Sequence, residues 1–110
     1  MIKGILLGLA LFFFDSSPQE EVKCKVFGSV HVMNEKRGAD YLIYLDDSEA
    51  FADLLVFKEE HRLYADRSGF WFMEKSKGLA DFRVFLTKNR DEADFSIYYV
   101  DSPTFAGCDD

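Results

Sequence analysis

Five aspartates, Asp40, Asp53, Asp66, Asp81 and Asp94, recur at spacings of 13, 13, 15 and 13 residues, each directly after an alanine. Carboxylates repeated at near-constant phase could stack in space as a ladder of hard oxygen donors for Ca²⁺. Calcium repeats also bring Gly-rich loops and several ligand oxygens per turn, and these aspartates have neither around them. Their expected role is structural: each carboxylate accepts backbone N–H groups at the start of its own strand. A calcium- or other metal-binding module on the five carboxylates is the alternative; otherwise no metal, cofactor or catalytic residue is expected.

The other chemistry-bearing residues are few. His31 falls in an aromatic strand column and reads as structural; His61 lies in a charged connection and reads as solvated. Neither stands at a motif spacing from a Ser or Cys, and there is no GxGxxG, GxSxG or HExxH. The acid pairs Asp46-Asp47 and Glu59-Glu60 sit on connections, where solvated charge is the default. An enzyme is therefore not expected. Cys24 and Cys108 bracket the repeats. Bridged in an oxidising compartment, they would close a loop worth about 4–5 kcal/mol in the chain-entropy picture. Two free thiols are the other possibility, because spacing carries no information about geometry. Neither is in a CxxC or Cys/His cluster, so zinc is unsupported.

The elements that must carry these residues follow from the repeat itself. Ala39, Ala52, Ala65, Ala80, Ala93 and Ala106 mark successive units, the third lengthened by two residues around Ser68-Gly69. Four positions after the Ala come Ile43, Val56, Val84 and Ile97, with Trp71 in the lengthened unit and Val30 one period earlier; aromatic residues mostly follow. Six short β-branched and aromatic strands result, roughly 30–33, 41–45, 54–58, 70–73, 82–86 and 95–100. About six residues remain for each connection, too few for a crossover helix. Helix should be scarce. Several strands are apolar on both faces, which implies burial on both, with segments threaded or wrapped around one another. Phe51, Tyr64, Leu79 and Phe105, just before the Ala, would plug the ends of the core. The Phe and Tyr columns read as core rather than as a sugar-stacking surface. The Ala would mark a place where a larger side chain collides with a neighbouring segment. On this periodicity the fold class is mainly β, a compact single domain in the form of an antiparallel meander or small barrel.

The 110 residues are 48% apolar and 16% aromatic, enough to bury a core in one small domain. A formal charge of −7, with a pI near 4.7, disfavours nucleic acid and anionic membrane surfaces, both of which need clustered Lys and Arg. The expected partner is a protein or cell-surface component met by a monomer. Residues 1–17 read as a signal-like leader: one Lys, then the apolar run to Phe14, too short to span a bilayer. The residues after Phe14 match a cleavage site poorly, and Lys23 before Cys24 argues against a lipoprotein. Residues 18–25 read as a polar spacer and 26–110 as the repeat-built domain, placing the protein outside the cytoplasm, secreted or periplasmic.

The units from Ala39 to Ser48 (ADYLIYLDDS), Ala93 to Ser102 (ADFSIYYVDS) and Ala80 to Leu86 (ADFRVFL) resemble those of the septoil-knot domain family, small exported bacterial proteins of unassigned function. The longer unit with SGFWF at Ser68–Phe72 and the closing Ala106-Gly107 match as well, and the resemblance covers about Val26 to Gly107. It implies a β-rich domain whose backbone forms a deep seven-crossing torus knot. Lys58, in an otherwise apolar column, and the two cysteines depart from the family pattern; Lys58 is expected at an exposed strand end.

Overall fold

The fold was obtained as a computed structural model, which describes residues 19–108; the leader at 1–17 lies outside the described residues. A short helix α1 (Gln19–Lys25) leads into six strands: β1 (Gly28–Val32), β2 (Tyr41–Leu45), β3 (Leu54–Glu59), β4 (Phe70–Met73), β5 (Phe82–Thr87) and β6 (Phe95–Tyr99). The stretch read as a polar spacer is thus mostly helix. Val22 packs against the core and Val26 is fully buried, so α1 caps the domain rather than standing off it.

The strands close into a barrel in the order β1-β4-β3-β6-β2-β5, and every ladder is parallel. An antiparallel meander is therefore excluded. Parallel neighbours normally need a long crossover, yet here the connections hold no α-helix. The strands are only four to six residues long, rising roughly 3.3 Å per residue. An extended return of similar length suffices, and each return after β2 to β6 contains a single 3-10 turn, at Glu49–Phe51, Arg62–Tyr64, Lys77–Leu79, Arg90–Glu92 and Pro103–Phe105.

The barrel interior is filled by the expected column. Val30, Ile43, Val56, Trp71, Val84 and Ile97 are all fully buried, one from each strand, with Leu54 and Phe95 beside them. Neighbouring strands are staggered by two positions, so that Ile43 lies opposite Phe95 and Ile97 opposite Leu54. That stagger tilts the strands as closure requires. The Trp71 indole N–H donates to the Val26 carbonyl at 2.7 Å, tying the longest side chain of the core to the entry of β1. The following column is not doubly buried, contrary to the two-faced pattern. His31, Tyr44, Phe57, Phe72, Phe85 and Tyr98 point outward and are half-buried. A barrel wall has only one dry side; its outer side is covered by the returning connections, which leave these rings partly wet. Lys58 is exposed, as expected, with its ammonium 4.1 Å from the centre of the Tyr99 ring.

The ring order has a simple rule. Counting the chain end as a seventh place beside the paired strands β3 and β4, successive strands sit two places apart on a ring of seven, always in the same sense. That seventh place lies where β3 and β4 begin: Gly107 forms a single antiparallel bridge with Leu55 of β3 and lies beside Ser68 and Gly69 at the entry of β4. A path that circles a ring twice while passing seven times up the wall and back outside it is the seven-crossing torus winding. Threading of this kind is nearly absent from proteins. Here each unit, whether of thirteen residues or of fifteen in the lengthened one, makes the same step.

Candidate functional site

The Ala-Asp steps are where the repeat places its polar groups. In four of the five units Asp clamps one residue of the neighbouring strand with two bonds. The Asp N–H donates to that residue's carbonyl, and the Asp carboxylate accepts that residue's N–H. Asp81 clamps Ser29 (2.9 and 3.0 Å), Asp94 clamps Leu42 (2.6 and 2.8 Å), Asp53 clamps Ser96 (3.1 and 2.9 Å) and Asp40 clamps Arg83 (2.6 and 2.8 Å). The carboxylates therefore cap backbone as expected, but on the adjacent strand rather than their own. In ring order the clamps run β3 to β6 to β2 to β5 to β1. Gly107, at the Asp position of the last unit, has no carboxylate and holds Leu55 with its N–H alone, at 2.8 Å. Asp66 belongs to the lengthened unit, whose two extra residues carry it out of register, and it stays exposed outside the series.

These aspartates are consequently spread around the barrel rather than gathered. Among the described residues no group of three or more His, Cys, Asp or Glu side chains comes together to hold a metal ion. Asp53→Ala should remove a charge-assisted acceptor from the buried Ser96 and cost about 1–2 kcal/mol. Asp66→Ala should stay within about 0.5 kcal/mol of wild type. Urea denaturation of the two variants checks the difference, and equal midpoints would rule out the clamp as a source of stability.

Other polar residues hold the connections. His31 pairs through Nδ1 with the Glu74 carbonyl at 2.8 Å, a structural role, while His61 is exposed with its ring edge against Tyr64. Asp46, Glu74 and Glu92 anchor 3-10 turns through the Ser48 N–H, the Ser76 N–H and the Thr87 hydroxyl, and pair with Arg90, Arg62 and Lys36. Burial pushes the Asp46 carboxyl up, but the Ser48 N–H and the Arg90 guanidinium outweigh it and hold the group below its ordinary 3.8. The Ser76 N–H and Arg62 depress Glu74, and Lys36 and Thr87 depress Glu92, both below the ordinary 4.5. Folding thus favours the ionised forms. The stability they contribute is full above the unfolded values and lost as the pH falls through the folded ones. The melting temperature should be flat down to about pH 5 and drop below it, with a shallower drop in Asp46→Asn. An acid profile identical in wild type and variant would exclude this role for Asp46.

The Ala column stands where the chain re-enters the strands. Ala65 is buried and the other five are half-buried; Ala52, Ala80, Ala93 and Ala106 are extended where each follows a 3-10 turn. The residues just before them differ more sharply from expectation. Phe51, Tyr64, Leu79 and Phe105 are 71, 61, 64 and 62% exposed, and Leu63 is 84% exposed. They plug nothing. Phe51, Tyr64, Leu79 and Phe105 each end a 3-10 turn on the outside of the barrel, and Leu63 is the middle residue of one, so the turns direct these side chains to solvent. Sequence patterning alone could not separate them from core, because an apolar residue at constant phase looks the same whichever way it points. The connections bearing Phe51 and Phe105 are neighbours, and an open groove of about 700 Å³ runs between them, lined by Glu49, Asp53, Leu55, Thr104 and Phe105 among others.

Cys24 on α1 and Cys108 after the Leu55–Gly107 bridge form a disulfide, with Cα atoms 5.6 Å apart. A family profile described as the 7(1) septoil knot domain matches residues 23–109. The chain belongs to the septoil-knot family. No curated protein and no solved structure gave a match. The septoil-knot assignment and the two-place stepping of the strands agree on the same winding, and the disulfide is compatible with an oxidising compartment. Among the described residues no helix is long and apolar enough to cross a membrane.

Proposed function

We propose that this septoil-knot domain is an exported, non-enzymatic binding module that takes a protein or cell-surface partner in the groove between its Phe51 and Phe105 connections. The observation that carries the reading is the exposure of large apolar side chains on short turns held by a closed barrel. Phe105 lines the groove itself, and exposed apolar surface in a groove marks an interaction site. Glu49 and Asp53 line the groove with no Lys or Arg among the lining residues, and the chain carries −7 overall. The matching partner surface is basic where it meets Glu49 and Asp53 and apolar where it meets Phe105, and nucleic acid is a poor candidate because it is itself anionic. Export rests on the leader-like N-terminus together with the disulfide. Four of the five repeat carboxylates already accept backbone N–H groups, which favours a binding surface over a metal module built on them.

A photoreactive phenylalanine analogue at position 105, in protein exported by its own cells, tests the reading, with the same analogue at position 66 as control. A discrete adduct from position 105 alone, lost when Phe51→Ser is added, is the expected result. Equal labelling from both positions, or none from 105, would count against a binding surface here.

A further inference from the structure

We infer that the Cys24–Cys108 disulfide is a topological lock: once formed, it makes the knot of this chain impossible to lose by unfolding. The chain from Cys24 to Cys108 passes up β1 to β6 in steps of two places on the seven-place ring, and its end at Gly107 comes to the starts of the paired strands β3 and β4. One more step of two places leads back to β1, and Cys24 lies just ahead of β1. The disulfide spans that last step and completes the second lap, so the sulfur bridge closes the winding into a covalent ring. The family match at 23–109 and the bond at 24–108 enclose almost the same residues. An open chain sheds a knot when an end slips back through its loops, but a closed ring keeps its knot until a covalent bond is cut.

Two consequences follow. The bond has to form after threading, because a ring closed first cannot be threaded; oxidation therefore fixes whichever topology the chain has at that moment. Reduction reopens the way to unknotting. Formation is by thiol–disulfide exchange with an oxidised dithiol carrier. The two Cys thiols lose two electrons and two protons, and the carrier leaves as its dithiol. A reducing dithiol reverses this, becoming a disulfide itself as the two Cys thiols return.

The test compares two preparations of the wild-type protein with the same sequence, mass and disulfide. One is the native oxidised protein unfolded in guanidinium with its bond intact. The other is reduced with dithiothreitol, held unfolded in guanidinium, and reoxidised there as the monomer. On dilution the first should regain the native circular dichroism and melting transition, and the second should not. In guanidinium the first should elute later in size exclusion, as the more compact ring. Reducing the second preparation after dilution should restore its capacity to refold. Two preparations that co-elute and refold alike would overturn the lock, as would failure of the bond-intact protein to refold when the reduced chain can.

Discussion

Gly69→Ala is expected to be among the most destabilising single-methyl changes in this protein. A Cβ at Gly69 would lie 2.2 Å from the Gly107 nitrogen, 2.6 Å from the Gly107 Cα and 2.7 Å from the Leu55 carbonyl oxygen. All three are backbone atoms, so no side chain can rotate away. They are also held where they are: the Gly107 N–H donates to Leu55, and the next residue is tied by the disulfide. Gly69 has φ +85, which alone costs an L-residue about 1–2 kcal/mol. With the overlap, the total should reach about 3 kcal/mol or more, a large part of a typical domain stability. Gly78→Ala is the control. Nothing lies within 4 Å of its added methyl, and it should be neutral or stabilise by up to about 1 kcal/mol. Urea midpoints that fall equally for the two variants would show that the three backbones do not meet at Gly69.

Loss of the disulfide is the second large effect expected. The bond joins residues separated by 84 positions, and in the chain-entropy picture a loop of that size contributes about 4.5 kcal/mol. For a domain of this size that corresponds to a melting temperature lower by about 20 °C or more. Calorimetry of wild type against the Cys24→Ala/Cys108→Ala variant, both without reductant, measures it. A shift of only a few degrees would mean that the barrel already constrains its ends without the bond. This stability effect is separate from the lock: it concerns how much the unfolded chain is confined, whereas the lock concerns which topology it keeps.

The sequence carried the local grammar of this domain. A repeating unit with a β-branched residue four places after Ala39, Ala52, Ala80 and Ala93, and Trp71 in the lengthened unit, was enough to locate the six strands and name the core column from Val30 to Ile97. It was enough too for a backbone-capping role for Asp, because a carboxylate next to a strand start finds N–H groups whichever strand supplies them. What the tertiary structure decided is everything that depends on which unit meets which. Six nearly identical units make nearly identical local interactions, so nothing local distinguishes β2 from β4 and β5 as the neighbours of β1. Closure of the ring makes that choice, and with it come parallel ladders and clamps reaching to the adjacent strand. The exposed Phe51, Leu63, Tyr64, Leu79 and Phe105 were illegible for a related reason. Hydrophobicity records what a residue avoids, and only the path of the returning chain outside a filled barrel shows that these residues are left in water.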